Sequence, residues 1–297
     1  MNHSSRTLSY ITLDVFTSKR LEGNQLAVFT DARSLSDTEM QAIAKEMNLS
    51  ETTFILPRDP ATEKEKGVRV RIFTVNEELP FAGHPTLGTA TVIRGTSGAE
   101  QVFLDLNVGR IPVTFRNESN GFAFGEMRQR DPQFGSTHPR EKVAQLIGVS
   151  PDDIDANFPI QTVNTGVPFV IVPIRELRTM QRLRFNPAVA EEYLQDTDGK
   201  FFYCICRETT TPSAQIHARM IFYNGEDPAT GSAAGCAAGW MVAHGFAASG
   251  ASVEIEQGVE INRRSRIVVR ADKADNKVVN VRVGGNAVEV MRGELHL

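Results

Sequence analysis

The feature that most constrains this 297-residue chain is that it repeats itself once, at a spacing of about half its length. Self-similarity at a fixed distance marks a repeated structural unit, and two copies imply a duplication rather than a solenoid. Glu78-Leu79-Pro80-Phe81-Ala82-Gly83-His84 lies over Glu226-Asp227-Pro228-Ala229-Thr230-Gly231-Ser232, with Glu, Pro and Gly coinciding without a gap. Upstream, Arg71-Ile72-Phe73-Thr74-Val75-Asn76 matches Arg219-Met220-Ile221-Phe222-Tyr223-Asn224. Downstream, both turns run into a helix of small residues, 86–93 and 233–242.

The flanking order repeats as well. Each half opens with two strands separated at a Gly, 10–16 and 26–29 in the first, 161–164 and 169–172 in the second. A helix follows. Ser36 and Glu39 form a capping box ahead of Met40, Ile43, Ala44 and Met47, and Asn186-Pro187 starts the second copy with Pro in the first turn. Next come a strand (52–56; 201–206), a second strand into the Glu-x-Pro turn, the small-residue helix, and two more strands (102–106 and 111–115; 253–255 and 266–270). This order predicts an α+β fold of two pseudo-symmetric lobes, each a mostly antiparallel sheet wrapped around a central helix.

Composition excludes several functions. With 36 acids against 32 bases, the net charge of −4 gives no long-range attraction for nucleic acid. Runs such as Glu63-Lys64-Glu65-Lys66 read as solvated surface. No apolar run reaches the ~18–20 residues of a membrane helix, and residues 1–10 lack the apolar core of a signal peptide. The three cysteines, Cys204, Cys206 and Cys236, are too few and too irregularly spaced for a disulfide framework or a zinc site. They read as small core residues of a reduced, cytoplasmic protein. No G-x-G-x-x-G follows a strand, no G-x-x-x-x-G-K-[ST] is present, and Gly231-Ser232-Ala233-Ala234-Gly235 is not G-x-S-x-G. Neither a metal nor a nucleotide cofactor is signalled.

Each repeated turn feeds into a helix whose first turn carries unpaired N–H groups and the positive end of the helix dipole. Gly lets a ligand approach that backbone, so a carboxylate is the natural guest of Gly83 and His84, or of Gly231 and Ser232. Taken singly, either turn reads as helix capping and close helix–sheet packing. As a pair decorated with His84 and Asp227, they read as a site.

Three motifs, Asn48-x-Ser50-Glu51-Thr52-x-Phe54, Phe81-Ala82-Gly83-His84-Pro85-Thr86-x-Gly88-Thr89 and Glu226-Asp227-Pro228-Ala229-Thr230-Gly231-Ser232-Ala233, resemble the phenazine-biosynthesis PhzF-like family. The tail Val283-Gly284-Gly285-x-Ala287-Val288 is similar too, so the resemblance runs in order from about Tyr10 to Leu297. It implies a diaminopimelate-epimerase-like fold with the active site between two lobes, here 1–130 and 131–286. It also implies that the last strand, about 287–297, crosses back to the first lobe, and that the protein is a homodimer.

The resemblance assigns roles. A Glu at the start of a strand is by itself an ordinary solvated residue, but the family's catalytic glutamate falls in the Ser-Glu-Thr context of Glu51. One carboxyl group can take a proton from one carbon and return it to another on the same ligand face, given a pKa raised by burial. His84, its own pKa lowered at the helix start, and Asp227, which also steadies the turn before Pro228, are implied to polarise the substrate and tune Glu51. Ser232 with the Gly83 and Gly231 amides would hold a carboxylate, and Ser50 is a further substrate-binding candidate. Relatives of this fold that invert a stereocentre use two thiols, each just before a turn glycine. Those positions here are Ala82 and Thr230, and Cys236 lies well inside the helix.

The reading is a cofactor-independent isomerase moving a proton on a small carboxylated, cyclic substrate similar to trans-2,3-dihydro-3-hydroxyanthranilate. Two alternatives stay open on the sequence: a non-thiol amino-acid epimerase on the same fold, and a non-catalytic protein that binds a small acid.

Overall fold

The computed structural model describes residues 6–95, 97–119, 121–222 and 225–297. Tyr223 and Asn224, part of the second copy of the repeat, lie outside the described residues, as do residues 1–5 of the polar N-terminal stretch. The chain divides into two compact units, Met1–Met127 with Gly285–Leu297, and Arg128–Gly284.

In the first unit, chain order is β1 (Thr7–Val15), β2 (Asn24–Phe29), α1 (Asp37–Met47), β3 (Glu51–Leu56), α2 (Pro60–Lys66), β4 (Val68–Phe73), β5 (Glu78–Leu79), α3 (Gly83–Arg94), β6 (Gln101–Leu106), β7 (Gly109–Asn117) and β8 (Ala123–Arg128). Strands pair in the order β1-β2-β3-β4-β6-β7-β8. The pairs are antiparallel except β2–β3 and β4–β6, whose crossovers are α1 and α3. Two parallel pairs need crossovers long enough to hold a helix, and the capping box predicted at Ser36 and Glu39 starts the first of them.

The second unit repeats this plan through β9 (Gln133–Thr137), α4 (Arg140–Ile147), β10 (Gln161–Asn164), β11 (Pro168–Ile174), α5 (Leu177–Gln181), α6 (Pro187–Gln195), β12 (Phe201–Cys206), β13 (Ile216–Arg219), β14 (Ile221–Phe222), β15 (Gly225–Glu226), α7 (Gly231–Ala243), β16 (Val253–Gln257), β17 (Ser265–Ala274) and β18 (Lys277–His296). Here β11–β12 and β13–β16 are the parallel pairs. The registers match: Leu26 faces Glu51 where Phe169 faces Phe201, and Val68 faces Leu104 where Ile216 faces Ile255. β18 pairs β17 through Gly284, and from Ala287 onward it pairs β1 as far as His296.

This last pairing explains one difference from the sequence reading. β1 begins at Thr7 rather than residue 10, because Thr7 to Ser9 face His296 to Glu294, a contact nearly 290 residues away that no local pattern announces. It ends at Val15 because Phe16 turns into the left-handed region at φ 63°.

The two small-residue helices run through the middle of their units. From Gly83 to Ala90 every residue of α3 is buried, and so are eleven of the residues of α7. Small residues are required there by distance. A Cβ on Gly88 would stand 2.5 Å from Leu26 Cδ2 and 2.8 Å from Val15 Cγ2, so only Gly lets α3 lie this close to β1 and β2. Cys204 and Cys206 belong to the apolar core of the second unit, as expected, with Val170, Val172 and Phe202.

Each repeated Arg–Glu pair has a structural meaning. Arg71 donates Nε and Nη2 to the two Glu78 carboxylate oxygens at 2.8 and 2.6 Å, and Arg219 does the same to Glu226 at 2.9 and 2.6 Å. A bidentate fork spanning the strand and the start of the turn fixes where the chain leaves the sheet for the central helix. The repeat that organised the sequence is therefore a repeated ion pair, a repeated turn and a repeated buried helix.

Candidate active site

The first unit brings Glu51 and His84 together. Glu51 opens β3 and His84 is the second residue of α3. His84 Nε2 stands 3.4 Å from Glu51 Oε2, with side-chain exposures of 6% and 14%. On the other side of the ring, His84 Nδ1 lies 3.4 Å from the Asn24 amide nitrogen. Burial pushes the His84 imidazole down to about 3, against a backbone hydrogen bond at Gln25 that favours its protonation. The lowering expected for His84 is present, and desolvation is its cause. His84 is thus held as a neutral imidazole at neutral pH.

Gly83, at the first position of α3, is buried, and no side chain caps the helix, whose N-cap is Ala82. Ser50 is exposed, one residue before β3. Asn24, absent from the sequence reading as a site residue, is 1% exposed at the start of β2.

In the second unit, Asp227 and Thr230 shape the turn ahead of α7. The Asp227 amide donates to the Met220 carbonyl at 2.9 Å, and the Thr230 hydroxyl donates to Asp227 Oδ2 at 2.5 Å. Gly231 and Ser232 form the first turn of α7, again without a side-chain cap. Gly231 is buried and Ser232 half-buried. The Gln257 side chain, at the end of β16, donates to the Asp227 carbonyl at 2.8 Å and to Thr230 Oγ1 at 2.9 Å. Gln257 was not legible as a partner of this turn. The available signal is that it stands, by register, where the first copy has the apolar Leu106.

No thiol takes part in either group. Cys236 is buried inside α7, where its Sγ lies 3.3 Å from Thr165 Oγ1 and donates to the Val167 carbonyl at 3.5 Å, and burial pushes its thiol up to about 11. Among the described residues no group of three or more His, Cys, Asp or Glu side chains could hold a metal ion. No helix among them is long and apolar enough to cross a membrane.

The two-unit plan, each a mostly antiparallel sheet around a buried helix, defines the class. It is the fold of the amino-acid epimerases: a hydroxyproline epimerase of Agrobacterium vitis superposes with a TM-score of 0.65 at 10% identity, over 98% of this chain and 93% of that one. That likeness is one of fold. The family follows from sequence. The family of phenazine biosynthesis-like proteins, PhzC-PhzF, matches residues 13–293, and the chain belongs to it. A PhzF-family phenazine biosynthesis protein of Bacillus anthracis superposes with a TM-score of 0.87 at 29% identity, over 98% of this chain and 99% of that one. An isomerase of Mesorhizobium japonicum is 37% identical over 98% of this chain and all of its own length. The trans-2,3-dihydro-3-hydroxyanthranilate isomerase of Pseudomonas chlororaphis is 34% identical over 97% of this chain and 99% of its own. These relatives place the protein among the isomerases.

Proposed function

We propose that this protein is a cofactor-independent isomerase that moves a proton within a small, cyclic, carboxylated substrate similar to trans-2,3-dihydro-3-hydroxyanthranilate, with Glu51 as the single acid and base. The observation that carries the reading is the approach of Glu51 to a buried, neutral His84. A cationic imidazole at this distance would favour the carboxylate form of Glu51; a neutral one adds no such bias. The Glu51 carboxylate takes the proton from the hydroxyl-bearing carbon, and the electron pair shifts through the adjoining double bonds. The same carboxyl group then returns the proton to another carbon on the same face. The enol left behind tautomerises to a ketone, and no atom is gained or lost.

In this reading His84 and Asp227 polarise the substrate's polar groups, while Ser232, the Gly83 and Gly231 amides and Ser50 hold it by its carboxylate. Stereoinversion with two thiols is not open to this chain, because Ala82 and Thr230 occupy the positions just before the turn glycines and neither is a base.

The test is Glu51→Gln, assayed by absorbance with trans-2,3-dihydro-3-hydroxyanthranilate and by NMR in D2O. Loss of a general acid/base lowers turnover by about 10²–10⁴-fold, while the melting temperature and the binding of 3-hydroxyanthranilate persist. Unchanged turnover in the variant refutes the assignment. Inversion at one carbon with no shift of a double bond would show an epimerase instead.

A further inference from the structure

We propose that Gln257 is a positioning residue which, acting through Thr230, sets the orientation and charge of the Asp227 carboxylate. The inference deepens the role given to Asp227 above and rests on that reading.

Gln257 is fully buried at the end of β16 and uses every hydrogen-bonding capacity of its amide. Its Oε1 accepts from the Tyr203 hydroxyl at 3.1 Å and from the Thr230 backbone N–H at 3.2 Å. Its Nε2 donates to the Asp227 carbonyl and to Thr230 Oγ1. These four partners fix the amide's sense, because a flipped side chain would set an NH2 group against the Thr230 N–H and a carbonyl against the Asp227 carbonyl. With Nε2 donating to its oxygen, the Thr230 hydroxyl has its own proton directed at Asp227 Oδ2. The chain of donors runs Gln257 to Thr230 to Asp227, each link polarising the next. At its far end Tyr203 is held as a neutral hydroxyl, its pKa raised first by burial and then by the Asp227 charge. Ser265 adds a bond to the Pro228 carbonyl at 2.8 Å.

Stability of the turn alone does not require this clamp, because the first unit builds the same turn without it. By strand register Leu106 stands in place of Gln257 and Thr53 in place of Tyr203, and Ala82 matches Thr230 in the repeat. There Thr53 Oγ1 instead lies 2.8 Å from Thr89 Oγ1 on the central helix. The polar clamp is present only in the copy whose turn carries an aspartate: Leu79 is the matching residue of the other. A device added to one copy of a duplicated turn, and aimed at one carboxylate, is tied to what that carboxylate does.

The variants are Thr230→Val, which deletes the hydroxyl and keeps the shape; Thr230→Ser, which keeps the hydroxyl; and Gln257→Leu, which installs the residue of the first unit. Near-UV circular dichroism of Trp240 establishes that each is folded. Asp227 is titrated by NMR in protein carrying ¹³C-carboxyl aspartate, its resonance assigned with Asp227→Asn. Removing a hydrogen bond from a charged carboxylate raises its midpoint, here by about one pH unit or more, in Thr230→Val and Gln257→Leu. Thr230→Ser keeps the wild-type midpoint. The acid limb of kcat for trans-2,3-dihydro-3-hydroxyanthranilate moves by the same amount, with KM little changed. An Asp227 midpoint unmoved in folded Thr230→Val overturns the proposal, even if Gln257→Leu fails to fold. The two readings fail separately. Full turnover in Asp227→Asn removes the role of Asp227, whereas an unmoved midpoint alongside an inactive Asp227→Asn removes only the positioning.

Discussion

His217 should give the second unit a stability that declines across mildly alkaline pH. Its side chain, on β13, is fully buried between two glutamates: Nδ1 lies 2.8 Å from Glu256 Oε1 and Nε2 lies 3.0 Å from Glu260 Oε1. Burial works to lower the imidazole's pKa, but the hydrogen bonds to Glu256 and Glu260 outweigh it and bring it up to about 8 from 6.5. Glu256 moves further, down to about 2: burial works to raise it, but hydrogen bonds from His217, Thr211 and Thr210 outweigh that. The imidazole shift is therefore the measure of His217 itself. The rise from 6.5 to about 8 corresponds to about 2 kcal/mol.

The sign follows from proton counting. Below pH 6.5 both folded and unfolded chains hold the proton and the stabilisation is complete; between 6.5 and 8 only the folded chain holds it, and stability falls as pH rises. His84, His138 and His244 work in the opposite sense. Burial lowers all three, so below about pH 6.5 the unfolded chain binds protons the folded one refuses, and stability there rises with pH. The two effects put a maximum near pH 6.5. Urea unfolding followed by Trp240 reads this directly, since it is the chain's single tryptophan and is buried in the same unit. The wild type should lose about 2 kcal/mol between pH 6.5 and 8.5, and His217→Gln should lack that fall. A wild-type stability that is flat across this interval, or a His217→Gln variant that retains the decline, refutes the reasoning.

The two Arg–Glu pairs of the repeat should differ in cost. Arg219→Met leaves Glu226 with a side chain only 8% exposed and should destabilise its unit by about 3–5 kcal/mol, whereas Arg71→Met, beside a Glu78 that is 25% exposed, should cost about 1 kcal/mol; urea unfolding read by circular dichroism compares them. Burial raises the thiols of Cys204, Cys206 and Cys236 to about 12, 11 and 11, so native protein at pH 8 should release no chromophore from a disulfide reagent over minutes, and urea should expose all three. Rapid reaction of Cys236 would put a thiol base back among the possibilities.

Features carried by local chemistry were legible in the sequence. The Ser36 capping box, the helix start at Asn186-Pro187 and the two turns depend on residues within a few positions of one another, and they form as the patterns predict. The helices of small residues were legible too, because a run such as Gly231 to Ala243 has no polar face to offer water. The contacts that organise the candidate site were less so. The opening of β1 depends on residues 294–296, and the Tyr203–Gln257–Thr230 chain joins three segments spread over 54 residues. Asn24 reaches His84 across 60 residues. A lone Gln or Asn in a strand carries no local sign of such partners.

The same comparison separates what both copies keep from what only one carries. Both units keep the bidentate Arg–Glu fork and the buried small-residue helix, and each is a requirement of packing: without the fork the strand has no fixed exit, and without small residues the helix cannot approach the sheet. At four positions a polar residue in one copy stands against an apolar one in the other. Glu51 matches Phe201, Leu106 matches Gln257, Ala82 matches Thr230 and Leu79 matches Asp227. A buried polar group costs stability unless it is fully partnered. The second copy answers that demand by saturating Gln257, while the first sets Glu51 Oε2 3.4 Å from His84 Nε2. Two equivalent turns would have offered two equivalent bases, one for each face of a substrate. Divergence at these four positions leaves one carboxyl group beside His84 in the first unit and one beside Thr230 in the second, in unlike surroundings, an asymmetry that the single-base reading proposed above predicts.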